Sequence, residues 1–379
     1  MKIALSYAFI VFCLIQTLLF MRSPDQDILS VENRKVAAWP AKPRLTQNGI
    51  KDFFADLNLF FNDRIILRQQ MLEIAADLNS AIGEQTDFEN SYWGQEGWLF
   101  IGNKYDQITD KLVGRLIPKA NHQWSRTIQK ERTRFPEIPI IFLIGPNKHT
   151  VYPEYLPSFI KPGPTRYIGS LLEELKALGV VVVDPSYELR QAKADDLVYY
   201  KTDSHWNLLG ASIAAEKLAS ICRTSSIYNA KFPEYKLTPI RSNQGDLAGV
   251  ANLNLRDIDF KDTFALQWLQ PGTHLEMKEC NNHSYIEPTR QIPPIDEGPV
   301  IIKNPEAKSK LKVWFFRDSF GVALSPYVHS MFAEVWHFSH SSFWPRAKSY
   351  HGYDFSKEDA DLGDKPDLII FEIAERRIP

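Results

Sequence analysis

The 379-residue chain carries a formal net charge of −2 and is 44% hydrophobic, 12% aromatic and 24% charged. That balance excludes broad disorder and nucleic-acid binding by bulk positive charge, and the length provides for one large domain with an appendage or for two ordinary domains. Three cysteines, Cys13, Cys222 and Cys280, are too few for a disulfide scaffold.

The run from Ile3 to Met21 contains no charged residue, and its 19 positions are about what a helix needs to cross a bilayer. It runs into Arg22-Ser23-Pro24 without a small-x-small cleavage site, so residues 1–23 are expected to be an uncleaved signal-anchor. With Cys13 in that segment, Cys222 and Cys280 either form one disulfide in an oxidising compartment or remain two buried thiols. Residues 24–90 are expected to comprise a proline-bearing stalk followed by helical structure. In the latter, Phe53, Phe54, Leu57, Phe60, Phe61, Ile65 and Leu67 recur at spacings of three and four.

From residue 91 to 379 the pattern becomes that of an α/β body. IPIIFLIG (138–145), GVVVVD (179–184), LKVWFF (311–316) and PDLIIFEI (366–373) are continuous apolar runs, with an amphipathic helix predicted over 167–178. Strands apolar on both faces and separated by helices predict a mostly parallel sheet covered by helices on both sides. Residues 240–310 are less regular and are expected to be an excursion from that sheet.

Ligands of open α/β sheets sit beyond the carboxyl ends of the strands, so the turns after the apolar runs are the places to seek chemistry. LKVWFF is followed at once by RDSFG and a helical pattern, which puts Ser319 on a tight strand-to-helix turn. Alone, Ser319 or Asp318 reads as a helix cap or as a nucleophile beside free backbone N–H groups. Asp203 and His205, in YYKTDSHWNLLGA (199–211), add the other parts of an acyl-transfer site: an imidazole and a carboxylate to orient it. A metal site is not expected, because no HExxH, HxH or CxxC gathers further ligands.

Asn147 and Lys148, just after IPIIFLIG, suit an oxyanion or sugar contact or a plain turn. Arg317 suits an acidic sugar or a structural ion pair. Trp206 is expected to pack the His205 loop at the edge of the substrate site. Trp336, Phe343, Trp344 and Tyr350 are candidates for sugar stacking or for core, and Glu372, Arg376 and Arg377 for structural ion pairs.

TDSHWNLLGA (202–211) and FRDSFG (316–321) resemble the two signature blocks of the alginate O-acetyltransferase AlgJ/AlgX-type proteins, which have an SGNH-hydrolase-like domain. ENRKVAAWP (32–40), FFNDRIILR (60–68), GQEGWLFIGNK (94–104), GPNKHTVYPEYLP (145–157), GDLA (245–248) and PDLIIFEIAERRI (366–378) agree in the same order. The resemblance implies a flavodoxin-like, circularly permuted SGNH fold, with Ser319 as nucleophile, His205 as base and Asp203 as its orienter. It implies a polysaccharide O-acetyltransferase at the periplasmic face of the bacterial inner membrane, working without a soluble cofactor. A multi-spanning membrane acyltransferase would be the partner that supplies acetyl groups. A carbohydrate acetylesterase using the same three residues and a non-catalytic glycan-binding subunit stay open as alternatives.

Overall fold

The computed structural model describes residues 90–118, 123–227, 234–242, 245–250, 260–269, 276–279, 285–286, 300–339 and 365–379, with isolated positions between 28 and 60. The expected membrane anchor lies outside these residues, as do Phe343, Trp344, Tyr350 and Cys280. Among the described residues no helix is long and apolar enough to cross a membrane. Phe53, Leu57 and Phe60 are helical and half-buried.

One eight-stranded sheet organises the body. Its strands are β1 (Ile140–Gly145), β2 (Val181–Val183), β3 (Glu276–Glu279), β4 (Tyr285–Ile286), β5 (Val300–Lys303), β6 (Ser309–Arg317), β7 (Phe332–Ser339) and β8 (Leu368–Ala374). They lie in the order β4-β3-β5-β7-β6-β8-β1-β2. The stretch from β7 to β2 is parallel, whereas β5, β3 and β4 extend it as an antiparallel edge. The sheet is therefore mixed. The 240–310 segment, expected to leave the sheet, supplies three of its strands along with part of a separate hairpin, Tyr235–Ile240 with Thr263–Trp268. Strands on an antiparallel edge need not be apolar on both faces, which removes the signal that marks the parallel ones.

The continuous apolar runs have a simple cause, because successive side chains of a strand point to opposite faces. Ile141, Leu143, Val313, Phe315, Leu368 and Ile370 form one core with helices α4 (Leu208–Thr224) and α5 (Gly321–Met331). Ile140, Phe142, Ile144, Trp314, Phe316, Ile369 and Phe371 form the other, with α1 (Gln123–Arg134) and α2 (Gly169–Ala177). A further helix, α3 (Ser186–Ala192), packs beside α4. Phe316 stacks between Phe338 at 4.6 Å and Phe371 at 4.9 Å. Each buried phenylalanine of that kind contributes about 2–3 kcal/mol relative to exposure. Trp336 leans on this second core, with Nε1 donating to Glu334 at 2.6 Å.

Candidate active site

The loop 199–207 leaves the body and returns through a bridge between Tyr199 and Trp206. Asn207 ends it as the cap of α4, its Oδ1 accepting the Gly210 N–H at 3.0 Å. A Cβ at residue 210 would sit 2.2 Å from the Val198 carbonyl oxygen, so glycine is what lets the helix start this close to the loop. Within the loop, Asp203 Oδ1 accepts both the His205 backbone N–H at 2.9 Å and Nδ1–H at 2.6 Å. Asp203 Oδ2 accepts the Asp246 N–H at 3.0 Å. Burial pushes the Asp203 carboxyl up, but the His205 interactions and the backbone donors outweigh it and hold it well below the usual carboxylate range.

The serine turn is built from the sheet. Asp318, buried after β6, accepts the Phe320 N–H at 2.9 Å and the Ala374 N–H at 2.8 Å. Its own N–H donates to Glu372 Oε2 at 3.1 Å. Asp318 therefore ties the turn to the sheet, and half-buried Ser319 is left to face the loop. Among the described residues the Ser319 N–H has no acceptor.

The two turns meet. His205 Nε2 lies 2.8 Å from Ser319 Oγ across 114 residues of sequence, so Asp203, His205 and Ser319 form one hydrogen-bonded chain. Phe320, fully buried, joins the turns: its carbonyl accepts Trp206 Nε1–H at 2.9 Å and its ring lies 4.9 Å from the His205 ring. With Nδ1–H given to Asp203, Nε2 is left as the acceptor for the serine hydroxyl.

The expected substrate contacts fall differently. Lys148 is only 2% exposed, and its Nζ donates to the carbonyls of Tyr200, Lys201 and Asp203 at 3.0, 3.1 and 2.6 Å. It is a strut beneath the His205 loop rather than a sugar contact, and burial lowers its pKa to about 7 against the pull of Asp203, Asp246 and Asp262. Trp206 is completely buried and packs the loop. Arg317 is 4% exposed and turned inward, with Nε donating to His337 Nε2 at 2.6 Å. A guanidinium donor requires an unprotonated ring nitrogen, in keeping with burial holding His337 well below its ordinary pKa. Asn147 is divided: its N–H donates to Glu375 at 2.9 Å and its Oδ1 accepts the Arg376 N–H at 3.1 Å, while Nδ2 has no partner among the described residues. Asn147 also lines a cavity of about 150 Å³ with Thr150, Arg166, Tyr167 and Glu375.

Arg376 pairs with Asp106 at 3.9 Å and Arg377 with Asp318 at 3.8 Å. Glu372 makes no such pair among the described residues. Burial first, then the Asp318 charge, raises its pKa well above the ordinary carboxylate range. Cys222 is a free, buried thiol, pushed up to about 11 by burial.

Asp246 is a member of the site that was not singled out from sequence. It lies in the GDLA stretch, on the short helix Asp246–Val250, and its Oδ2 is 3.6 Å from His205 Nδ1. Asp203, His205 and Asp246 hold ligand-type atoms within 4.8 Å of one another. Each of those atoms already has a hydrogen-bonding neighbour.

Residues 92–267 match the family model described as ALGX: SGNH hydrolase-like domain, acetyltransferase AlgX. These residues are similar to an AlgX/AlgJ-type, SGNH hydrolase-like domain. The match takes in Asp203, His205 and Asp246, and Ser319 lies beyond it. A curated relative, the probable alginate O-acetylase AlgJ of Pseudomonas aeruginosa, is 26% identical over 160 residues, which are 41% of this chain and 39% of that protein. The chain thus spans about two fifths of that relative's length. Among solved structures, Bacillus cereus PatB1 superposes with a TM-score of 0.53 at 15% identity, over 76% of this chain and 97% of its own. A DHHW family protein from Eubacterium siraeum gives 0.51 at 16%, over 77% and 93%. These likenesses show a shared α/β fold.

Proposed function

We propose that the chain is a serine O-acyltransferase that moves acetyl groups onto hydroxyls of a polysaccharide at the periplasmic face of the inner membrane. The observation that carries the reading is the Asp203–His205–Ser319 chain, with its 2.6 and 2.8 Å hydrogen bonds, at the carboxyl end of the sheet's parallel strands. The AlgX-type domain match and the name of the AlgJ relative support acetyl as the group and a glycan as the acceptor. The apolar run Ile3–Met21 supports the anchored location, and a multi-spanning membrane acyltransferase is the proposed donor partner.

In this mechanism His205 Nε2 takes the Ser319 proton as Oγ attacks the acetyl carbonyl, and the imidazolium is held by Asp203. The Ser319 N–H, and Asn147 Nδ2 just beyond the end of β1, are the proposed donors to the oxyanion. The proton then passes to the leaving group, giving acetyl-Ser319. A sugar hydroxyl gives its proton to Nε2 and attacks the acetyl carbon, and that proton returns to Ser319 Oγ. No soluble cofactor takes part.

The test is incubation with a chromogenic acetyl ester, with and without oligosaccharides, and mass spectrometry of both protein and glycan. Acetyl-Ser319 and acetylated glycan are expected, with Ser319→Ala and His205→Ala each reducing turnover by about 10³-fold or more. Release of acetate with no glycan ever acetylated would replace transfer by hydrolysis. Turnover retained in Ser319→Ala would remove the serine mechanism altogether.

A further inference from the structure

Asp203 is not the only carboxylate at the His205 ring. Asp246 Oδ2 lies 3.6 Å from Nδ1, and its side chain is 42% exposed. Asp246 Oδ1 accepts the Ser204 N–H and Oδ2 the Ser204 Oγ–H, both at 2.7 Å. Its own backbone N–H is the donor to Asp203 Oδ2. The segment is clamped to the loop by two further bonds, Gly245 N–H to Thr202 Oγ1 at 3.1 Å and Leu247 N–H to the Thr202 carbonyl at 3.1 Å. A Cβ on Gly245 would meet Asp203 Cβ and the Thr202 carbonyl at 2.5 Å. Leu247 and Ala248 are buried with Leu99, Ile101 and Ile108. The Gly-Asp-Leu-Ala sequence therefore has a physical reading: glycine permits the approach, leucine and alanine anchor it, and the aspartate is what it delivers.

We propose that Asp246 is a positioning residue for His205: a second carboxylate that fixes the 203–205 turn through Ser204 and stabilises the positive charge His205 gains on taking the Ser319 proton. The inference rests on the serine mechanism proposed above. The charged groups acting on this pair are Asp203 on the loop and Lys148 beneath it, with Tyr200 interacting with Asp203 and Asp262 with Lys148. Partial burial and the Asp203 charge both raise the Asp246 carboxyl. Two carboxylates facing one imidazole is the arrangement that makes ring protonation sensitive to each of them.

The experiment uses the full-length protein in detergent and phenylmethylsulfonyl fluoride, a probe that needs neither the natural donor nor the acceptor. Ser319 Oγ bonds to sulfur as fluoride leaves, and His205 Nε2 takes the hydroxyl proton and passes it to solvent. The rate of Ser319 labelling is followed by mass spectrometry against pH for wild type, Asp246→Asn and Asp246→Glu. Removing the charge is expected to slow labelling about tenfold near neutrality and to move the acid limb of the profile to lower pH, because the imidazolium has lost a counter-charge. Asp246→Glu should restore both in part. An unmoved limb with uniformly slower labelling would reduce Asp246 to scaffolding, and an unchanged rate would overturn the proposal. If Asp246→Asn melts well below wild type, Asp246→Ser carries the same comparison. If wild type itself is never labelled at Ser319, it is the serine mechanism that fails. The Asp246 inference is then read from the low-field His205 Nδ1–H proton resonance, which shifts in Asp246→Asn if the two groups interact and stays in place if they do not.

Discussion

The serine turn and the histidine loop meet across one 2.8 Å hydrogen bond but are held by different means. The serine turn is an extension of the sheet: Asp318 bridges to the Ala374 N–H, Glu372 reaches back to Asp318, and Phe320 and Gly321 are buried. The histidine loop belongs to no strand of that sheet. Side chains from three distant places hold it, with Lys148 on its carbonyls, Asp246 on Ser204, and Asp262 accepting the Lys201 N–H at 2.8 Å. Ser319 thus inherits the rigidity of a core, whereas His205 depends on a few charged contacts, each within reach of mutation.

The largest expected effect is at Lys148. Lys148→Met leaves three loop carbonyls without their shared donor, which should cost about 3 kcal/mol of stability and most of the activity, measured by thermal melting and ester turnover. Its titration gives a second readout. With a pKa near 7 in the folded chain, against 10.5 ordinarily, the unfolded chain binds more protons between those values, so this group's contribution to stability rises with pH across that window. The wild-type melting temperature should therefore climb relative to Lys148→Met between about pH 7 and pH 10.

A matched glycine pair separates the two regions next. A Cβ at residue 321 would lie 2.4 Å from Arg317 Cβ and 2.8 Å from Glu372 Oε2 inside the core, so Gly321→Ala should cost about 2 kcal/mol by overpacking. Gly245→Ala pushes on the half-exposed histidine loop and should reduce ester turnover more than it reduces the melting temperature. Equal stability losses at both sites would erase the distinction.

The smallest effect is expected at Glu372. Burial and the Asp318 charge disfavour the charged form of this carboxyl, so Glu372→Gln should stay within about 1 kcal/mol of wild type at pH 5. Because the pKa is raised in the folded chain, wild-type stability falls as pH rises above the ordinary carboxylate range. The variant should therefore gain on wild type at pH 8, and melting curves at the two pH values decide it.

Much of this was legible beforehand. Four apolar runs marked β1, β2, β6 and β8, and the RDSFG turn and the TDSH pair stood out because strand-end turns and an Asp-x-His spacing carry their chemistry locally. The charged residues around them did not read out. Lys148 looks on paper like an oxyanion or sugar contact and Arg317 like a ligand for an acidic sugar, yet one is a 2% exposed strut and the other is turned to a buried histidine. Asp246 was visible only as part of GDLA, since nothing local ties an aspartate to a histidine 41 positions earlier in the chain.

The sequence by itself determined the parallel core and which residues stand at the strand ends, because both follow from short-range periodicity and turn chemistry. Tertiary structure alone decided the antiparallel edge and which polar side chains face the Ser319–His205 pair. Those depend on contacts between residues far apart in the chain, where burial can turn a charged group inward and a glycine can bring a second carboxylate to His205.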